Sequence, residues 1–296
     1  MRKNRFFRES TQDKILDIIT WVFCLLVLFI TIYPFYYILI ISFNEGIDAS
    51  TGGIYWLPRK LTMDNYEKFF SDVKWLKAIF FSALRTIIGT LIGVLFTTLV
   101  AYGLSFRELV HRKFYMTFII ISMYFGGGII PYYTLLRSMH LTNTFGVYVI
   151  PGAINTFFLM VGMSFFQDIP VSLRESAKLD GANEITIFSR IILPVSMPFI
   201  ATCILFIGVG HWNNWYDTAF FTHDKNLATL SFLMMQVINS SQVSQMSAQY
   251  GANSGTVTTI SIQSAAMMIS TLPIICVYPF LQKYFVSGIM LGAVKE

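Results

Sequence analysis

The sequence predicts an all-α polytopic membrane protein with six transmembrane helices, and three observations predict it. Only 12% of its 296 residues are charged and 55% are hydrophobic, whereas a soluble domain carries about 25% charged residues. The apolar residues gather into six stretches, each long enough to cross about 30 Å of hydrocarbon, which takes about 20 residues of helix. Lys and Arg favour the loops of one side, the usual mark of the cytoplasmic face.

The six stretches are residues 15–43, 78–104, 114–136, 145–166, 191–212 and 264–285. Together they make one transmembrane domain over 15–290, between short tails at 1–14 and 291–296. The first stretch exceeds the apolar run of a signal peptide, and no A-x-A cleavage pattern follows it, so it reads as a retained span. The second carries Gly89 and Gly93, a G-x-x-x-G spacing that lets a neighbouring helix approach closely. It also carries Arg85, about 10 Å below its outer end at 1.5 Å per residue. That side chain either snorkels to the surface or faces an internal cavity. In the third, Gly126, Gly127 and Gly128 predict a helix break or a close helix contact. Two long segments lie on the outer side. Residues 44–77 hold a Gly52–Gly53 turn and a short amphipathic stretch around 65–70, and residues 216–263 read as a polar loop, rich in Ser, Gln, Asn and Thr from Asn239 to Thr259.

Six spans put both termini on one side. Thirteen of the 21 Lys and Arg fall on that side, seven on the other, and Arg85 lies inside a span. Both termini are therefore expected in the cytoplasm. Spans two to six contain no Asp or Glu, and Asp17 sits only at the mouth of the first. Ion-coupled carriers generally place ionisable groups at membrane depth, so a self-sufficient secondary carrier or channel is the weaker class. No G-x-x-x-x-G-K-[ST] phosphate loop is present, so the chain is not expected to hydrolyse nucleotide. Cys24, Cys203 and Cys276 form no C-x-x-C, and His111, His140, His211 and His223 read as solvated loop residues. Neither a metal site nor a catalytic constellation is expected. The net charge of +5 is spread over loops, not over a nucleic-acid-binding patch.

Residues 168–198 are the most informative segment. Pro170 ends the fourth span. Ser172 and Glu175, three apart, predict a capping box. Leu173, Ala177 and Leu179 supply a small apolar face. Asp180 and Gly181 break the helix, Gly181 being free to take the left-handed conformation of a C-terminal cap, and Asn183 caps a second helix that runs through Ile185, Phe188 and Ile192 towards Pro194. Such a helix held beside a membrane domain either lies on lipid or docks into a groove on a soluble partner.

The run Glu175–Ser176–Ala177–Lys178–Leu179–Asp180–Gly181–Ala182, followed by Ile191–Ile192–Leu193–Pro194, resembles the EAA loop of bacterial ABC importer permeases, with Ser where the second Ala is commonest. Pro131–Tyr132–Tyr133, Leu141–Thr142–Asn143–Thr144 and His211–Trp212–Asn213–Asn214–Trp215 resemble the carbohydrate-uptake branch, the maltose-type smaller permease subunit and its oligosaccharide and polysaccharide-fragment relatives. The resemblance covers residues 12–296. It implies the type I ABC importer permease fold in a bacterial plasma membrane. It also implies a second homologous permease subunit, two cytoplasmic ATPase subunits that bind the ATP and Mg, and an extracellular solute-binding protein that delivers sugar. A peptide or another small solute is the alternative cargo.

The resemblance makes 168–190 the ATPase-coupling loop, through Glu175, Ser176, Ala177, Leu179, Asp180, Gly181 and Ala182. Ala177 and Ala182 would be small so that the helix sits deep in an ATPase cleft. Glu175 would pair with a basic ATPase residue or serve the capping box. Trp212, Asn213, Asn214, Trp215, Asp217 and Arg85 offer the rings, amides and charges that bind sugar, so they are candidates for the substrate path. An aromatic belt at the membrane surface is the competing reading. Gln242, Gln245, Gln249, Tyr250 and Asn253 are candidates for contact with the binding protein, or else belong to a cover over the cavity.

Overall fold

The computed structural model describes residues 11–247 and 257–293. Among these the chain is helical, and the only extended pairing is an isolated antiparallel bridge between Asn44 and Leu61. It divides into two compact units. One runs to Ser71 and includes Ser241–Ile269; the other comprises Asp72–Ser240 and the residues from Ser270 on.

In the first unit, α1 (Thr11–Ser42) spans 32 residues and leaves Trp21, Phe23, Phe29 and their neighbours exposed. A helix apolar all round is a membrane helix, because only lipid or another chain can cover it. The short α2 (Gly46–Ser50) and α3 (Asp64–Ser71) follow. Gly52 and Gly53 take φ of +74° and +76°, as the turn requires. Amides then tie the segment together. Asn44 Nδ2 donates to Asp48 Oδ2 at 2.9 Å, and Asn65 Nδ2 donates to the carbonyls of Ser42 and Asn44, each at 2.9 Å. Segment 44–71 is thus a bonded cap whose Ala49 and Ile54 cluster with Ile40 and Ile41 of α1.

The second unit is organised on α4 (Val73–Ser105), 33 residues long and so about 50 Å from end to end. The Asp72 side chain accepts from the Lys74 backbone N–H at 2.9 Å and starts it. The chain continues through α5 (Arg112–Tyr124), α6 (Ile129–Ser138), α7 (Gly146–Val149), α8 (Thr156–Gln167), α9 (Val171–Leu179) and α10 (Glu184–Ile187). A π turn at Phe188–Ile192 leads into α11 (Leu193–Val195), α12 (Met197–Asn213), α13 (Tyr216–Phe221), a 3-10 turn at Lys225–Leu227, and α14 (Leu230–Ser247). The last helix, α15 (Thr259–Ala293), belongs to both units.

Three expected spans are not single helices. Arg112–Tyr124 and Ile129–Ser138 meet at 118°, with Gly128 at φ +84° in the break, so the glycine triplet is a break as expected but it bends the third span. Pro151 and Gly152 divide the fourth stretch into α7 and α8, and α8 meets α9 at 73°. Glu184–Val195 meets Met197–Asn213 at 83°. There Pro194 and Pro198 lack the N–H groups that a continuous backbone ladder needs, and the π turn at Phe188–Ile192 precedes the bend. Three unbroken helices are long and apolar enough to cross a membrane, and counting each bent pair as one crossing gives up to six.

The stretch 216–263, expected as a polar loop, is helical at α13 and over α14. Leu230, Phe232, Leu233, Met234 and Met235 outweigh the Ser and Gln that follow. α4 packs mainly against α12 and α8. Gly93 sits opposite Ile207, where a Cβ atom would come within 3.2 Å, so the G-x-x-x-G spacing does bring two helices close. Between membrane helices the hydrophobic effect gives no drive, and such close van der Waals packing holds them.

Candidate functional site

Two regions of the second unit carry the chemistry. The first is the loop 168–190. Pro170, at φ −55°, sets the entry so that α9 begins at Val171. Ser172 therefore lies inside the helix, where its carbonyl accepts from Ser176 Oγ at 2.9 Å. The α9 N-terminus has no side-chain cap, so the expected capping box of Ser172 and Glu175 does not form, and Glu175 is exposed. The exit of α9 matches expectation. Ala182 N–H donates to Ala177 O and Gly181 N–H to Lys178 O, both at 3.0 Å, around Gly181 at φ +81°. That pair of bonds is a Schellman motif with glycine at its left-handed position. Asn183 Oδ1 accepts from Thr186 N–H at 2.8 Å and starts α10, also as expected.

The side chains of the loop divide differently from the sequence reading. Ala177 is 7% exposed and packs inward with Ile187, Phe188 and Ile192, and Ala182 packs against the same core. Ala177 is small because it meets this chain's own core. Leu179 is 90% exposed and Ile185 is 78% exposed, one on each side of Gly181. Leu173, Ala177 and Leu179 thus do not form one face; the projecting apolar pair is Leu179 and Ile185. Ser176 and Asp180 are exposed with them.

Ionic and aromatic contacts hold the loop to α4. Glu184 Oε1 pairs with Lys178 Nζ at 2.6 Å, and its Oε2 accepts from Tyr102 Oη at 3.0 Å. Partial burial pushes this carboxyl up, but the hydrogen bonds from Lys178 and Tyr102 outweigh it and hold it below the ordinary range. Arg174 lies with its Cζ 4.1 Å over the Phe106 ring. Beneath α9 is a cavity of about 310 Å³ bounded by Tyr102, Phe106, Phe166, Gln167 and Arg174.

The second region is a polar cavity of about 330 Å³ at the other end of α4. Arg85 is its centre. Only 1% exposed, it does not snorkel. Its guanidinium donates to Asn214 O at 2.9 Å, forms an ion pair with Asp217, and sits 4.6 Å over the Tyr148 ring. Arg85 Nε has no partner. Tyr148 Oη is fixed by Thr222 Oγ1 at 2.9 Å and by Leu227 O at 2.8 Å. Asn214 Oδ1 accepts from Asp217 N–H at 3.2 Å and so shapes the α12–α13 elbow that presents the carboxylate.

Of the six substrate-path candidates, the fold brings together Arg85, Asn214 and Asp217. Trp212 faces the other way. It is 7% exposed, donates its indole N–H to Ser270 O at 2.9 Å, and lines a separate apolar groove with Leu91, Val94, Met197 and Pro273. Asn213 and Trp215 are exposed outside the cavity. The competing belt reading therefore suits Trp215 and does not suit Trp212.

The sequence reading missed Tyr132, Tyr148, Asn155 and His211, all of which line the cavity. His211 is on α12, not in a loop, and its ring fills the space left by the absent Cβ of Gly89. The signal was available, since a residue one turn before Asn214 and opposite a glycine must face the same helix. Of the candidates for binding-protein contact, Gln249, Tyr250 and Asn253 lie outside the described residues, and Gln242 and Gln245 lie in the last turns of α14.

A family model described as "Binding-protein-dependent transport system inner membrane component" matches residues 112–290. A Bacillus subtilis (strain 168) protein, the polygalacturonan/rhamnogalacturonan transport system permease protein YtcP, is 33% identical across 96% of this chain and 99% of its own length. Protein LplC of the same organism is 37% identical across 90% of each chain. Among solved structures, a chain of a bacterial ABC transporter involved in the import of the acidic polysaccharide alginate superposes with a TM-score of 0.83 at 24% identity, covering 93% of this chain and 98% of that one. That last likeness is one of fold.

Proposed function

Because this chain belongs to the family of inner membrane components of binding-protein-dependent transport systems, we propose that it is one of the two permease subunits of an importer that takes up oligosaccharides through a bacterial plasma membrane. It acts with a second permease of the same family and with two ATPase subunits that bind the ATP and Mg on the cytoplasmic side. An extracellular binding protein hands over the sugar, with 242–253 as its contact on this chain. The excess of Lys and Arg on one side supports a cytoplasmic placement of both termini.

The observation that carries the reading is the rigid turn around Gly181, which projects Leu179 and Ile185 away from the chain's own core. Two large apolar side chains on a short helix pair are anchors for a groove in a soluble partner. Glu175, Ser176 and Asp180 surround them with polar contacts. When the ATPases close on ATP, the anchored loop moves with them. Full conversion between inward- and outward-open states needs about 5.5 kcal/mol of differential stabilisation, which nucleotide closure supplies and which this chain transmits. Sugar as the cargo is supported by the name of YtcP and by a cavity whose tyrosines, amides, arginine and carboxylate can bind hydroxyl and carboxylate groups.

The test is a Leu179→Cys variant in the assembled transporter, paired with cysteines lining the ATPase groove. Cross-linking that follows the nucleotide state, together with ATP-dependent uptake of galacturonan oligomers or neutral oligosaccharides, is the expected result. An introduced thiol that labels freely in the assembled transporter, with no cross-link in any nucleotide state, defeats it.

A further inference from the structure

Two sites at opposite ends of one helix raise the question of how they communicate. Most backbone routes between them are broken. The route through α8 passes Pro151 and Gly152, and the route through α12 passes a π turn and an 83° bend. α4 alone joins the two sites as one uninterrupted helix within the described part of this unit. It carries Tyr102 at the loop and Arg85 at the cavity, and the residues between them span about 26 Å at 1.5 Å per residue.

We propose that α4 is the lever of this permease, and that the Tyr102–Glu184 contact is where the coupling loop grips it. The geometry of the grip is specific. Glu184 on α10 reaches both Lys178 on α9 and Tyr102 on α4, so one carboxylate joins the two loop helices to the lever. The Tyr102 ring is 7% exposed and wedged among Phe106 at 5.0 Å, Phe188 at 5.1 Å and Phe166 at 6.0 Å between ring centroids. Arg174 over Phe106 is a second hold, four residues further along. Phe106 is the C-cap of α4 and has already left helical geometry, so the loop holds the last turns of α4 at Tyr102 and the end of the helix at Phe106. At the far end Arg85 is bonded to the α12–α13 elbow through Asn214 and Asp217. A shift of the gripped end therefore loads the Arg85–Asp217 pair. Tyr102 and Glu184 are positioning residues: they touch neither nucleotide nor sugar.

This inference rests on the reading of 168–190 as the ATPase-engaging loop, and its test separates the two. Tyr102→Phe, Glu184→Ala and Glu184→Gln are compared in the whole transporter reconstituted in vesicles with its binding protein. Tyr102→Phe keeps the wedge and loses only the hydroxyl. Glu184→Gln keeps an acceptor for that hydroxyl. The measured quantities are Vmax and KM of uptake, ATP hydrolysed per sugar imported, and the Leu179→Cys cross-link to the ATPase. Tyr102→Phe and Glu184→Ala are expected to lower Vmax about fivefold, the factor that one net hydrogen bond is worth. The ATP spent per sugar rises correspondingly, KM holds and the cross-link persists. Glu184→Gln retains most of the coupling. The double variant Tyr102→Phe/Glu184→Ala is no worse than Glu184→Ala alone, because the two changes remove one shared contact.

An unchanged ATP-to-sugar ratio in Tyr102→Phe and Glu184→Ala, with the cross-link present, overturns the lever and leaves the coupling loop standing. Losses that multiply in the double variant overturn it also. A cross-link lost in Tyr102→Phe means that the contact only shapes the loop for docking, which overturns it too. Absence of the cross-link in the parent protein defeats the coupling reading itself.

Discussion

Asp217 and Arg85 illustrate what single side chains decide in this protein. A guanidinium buried to 1% exposure is tolerable only because a carboxylate, a carbonyl and an aromatic face surround it. Removing one member of such a pair costs about 3–5 kcal/mol, mostly through the stranded charge. Asp217→Ala should therefore lower the melting temperature of the purified protein markedly. Asp217→Asn, which keeps an acceptor oxygen, should lower it much less. Equal melting temperatures for the two variants would mean that the pair does not hold the elbow. Gly181 is a different case. No atom lies within 4 Å of where its Cβ would be, so space is free and only the φ of +81° resists substitution. The left-handed conformation costs an ordinary residue about 1–2 kcal/mol, and Asn bears it best. Gly181→Asn should keep most sugar-stimulated ATP hydrolysis in the assembled transporter, and Gly181→Val should lose it. If both behave alike, backbone geometry is not what the glycine provides.

At the scale of elements, the sequence reading located every long apolar stretch and anticipated a break or close contact at Gly126–Gly128, but it missed the breaks at Pro151 and at Pro194 and Pro198. Hydropathy registers the length of an apolar run, and that length is the same for a straight helix and for two pieces joined at an angle. The breaks were written in local residues instead. Gly128, Pro151, Pro194 and Pro198 all fall inside stretches read as single spans. The turn at Gly181 was legible because one residue type in one backbone state determines it. The outward apolar pair was not, since which of Leu173, Ala177, Leu179 and Ile185 faces the core depends on how α9 is pinned by Glu184 and Arg174. Gly128, at φ +84° and ψ 172°, occupies a backbone region essentially reserved for glycine. Gly128→Ala should cost about 1–3 kcal/mol and loosen the α5–α6 bend. Faster hydrogen exchange of the backbone amides flanking 125–128 in reconstituted protein is the expected sign, and an exchange pattern like that of the parent would place the bend's cause elsewhere.

At the scale of the whole molecule, transport demands that the two ends of α4 move in concert, and the Arg85–Asp217 pair is where that movement meets α13. Composition could indicate a membrane protein and a docking loop, but it could not pair residue 85 with residue 217, which are 132 apart in sequence. Only the fold places the cation of one span against the carboxylate that follows another. The pair can be tested as a moving joint without leaving a stranded charge, because replacing both partners avoids the penalty of removing one. An Arg85→Cys/Asp217→Cys variant should fold, assemble with its ATPases and import sugar at a reduced rate while reduced. Bridging the two thiols with a short bifunctional reagent ties α4 to the α12–α13 elbow. Uptake should then stop and return when a cleavable bridge is reduced, while the Leu179→Cys cross-link to the ATPase still forms. Undiminished uptake in the bridged protein would mean that α4 and the elbow travel as one rigid piece, and the opening movement would have to be sought at another helix boundary.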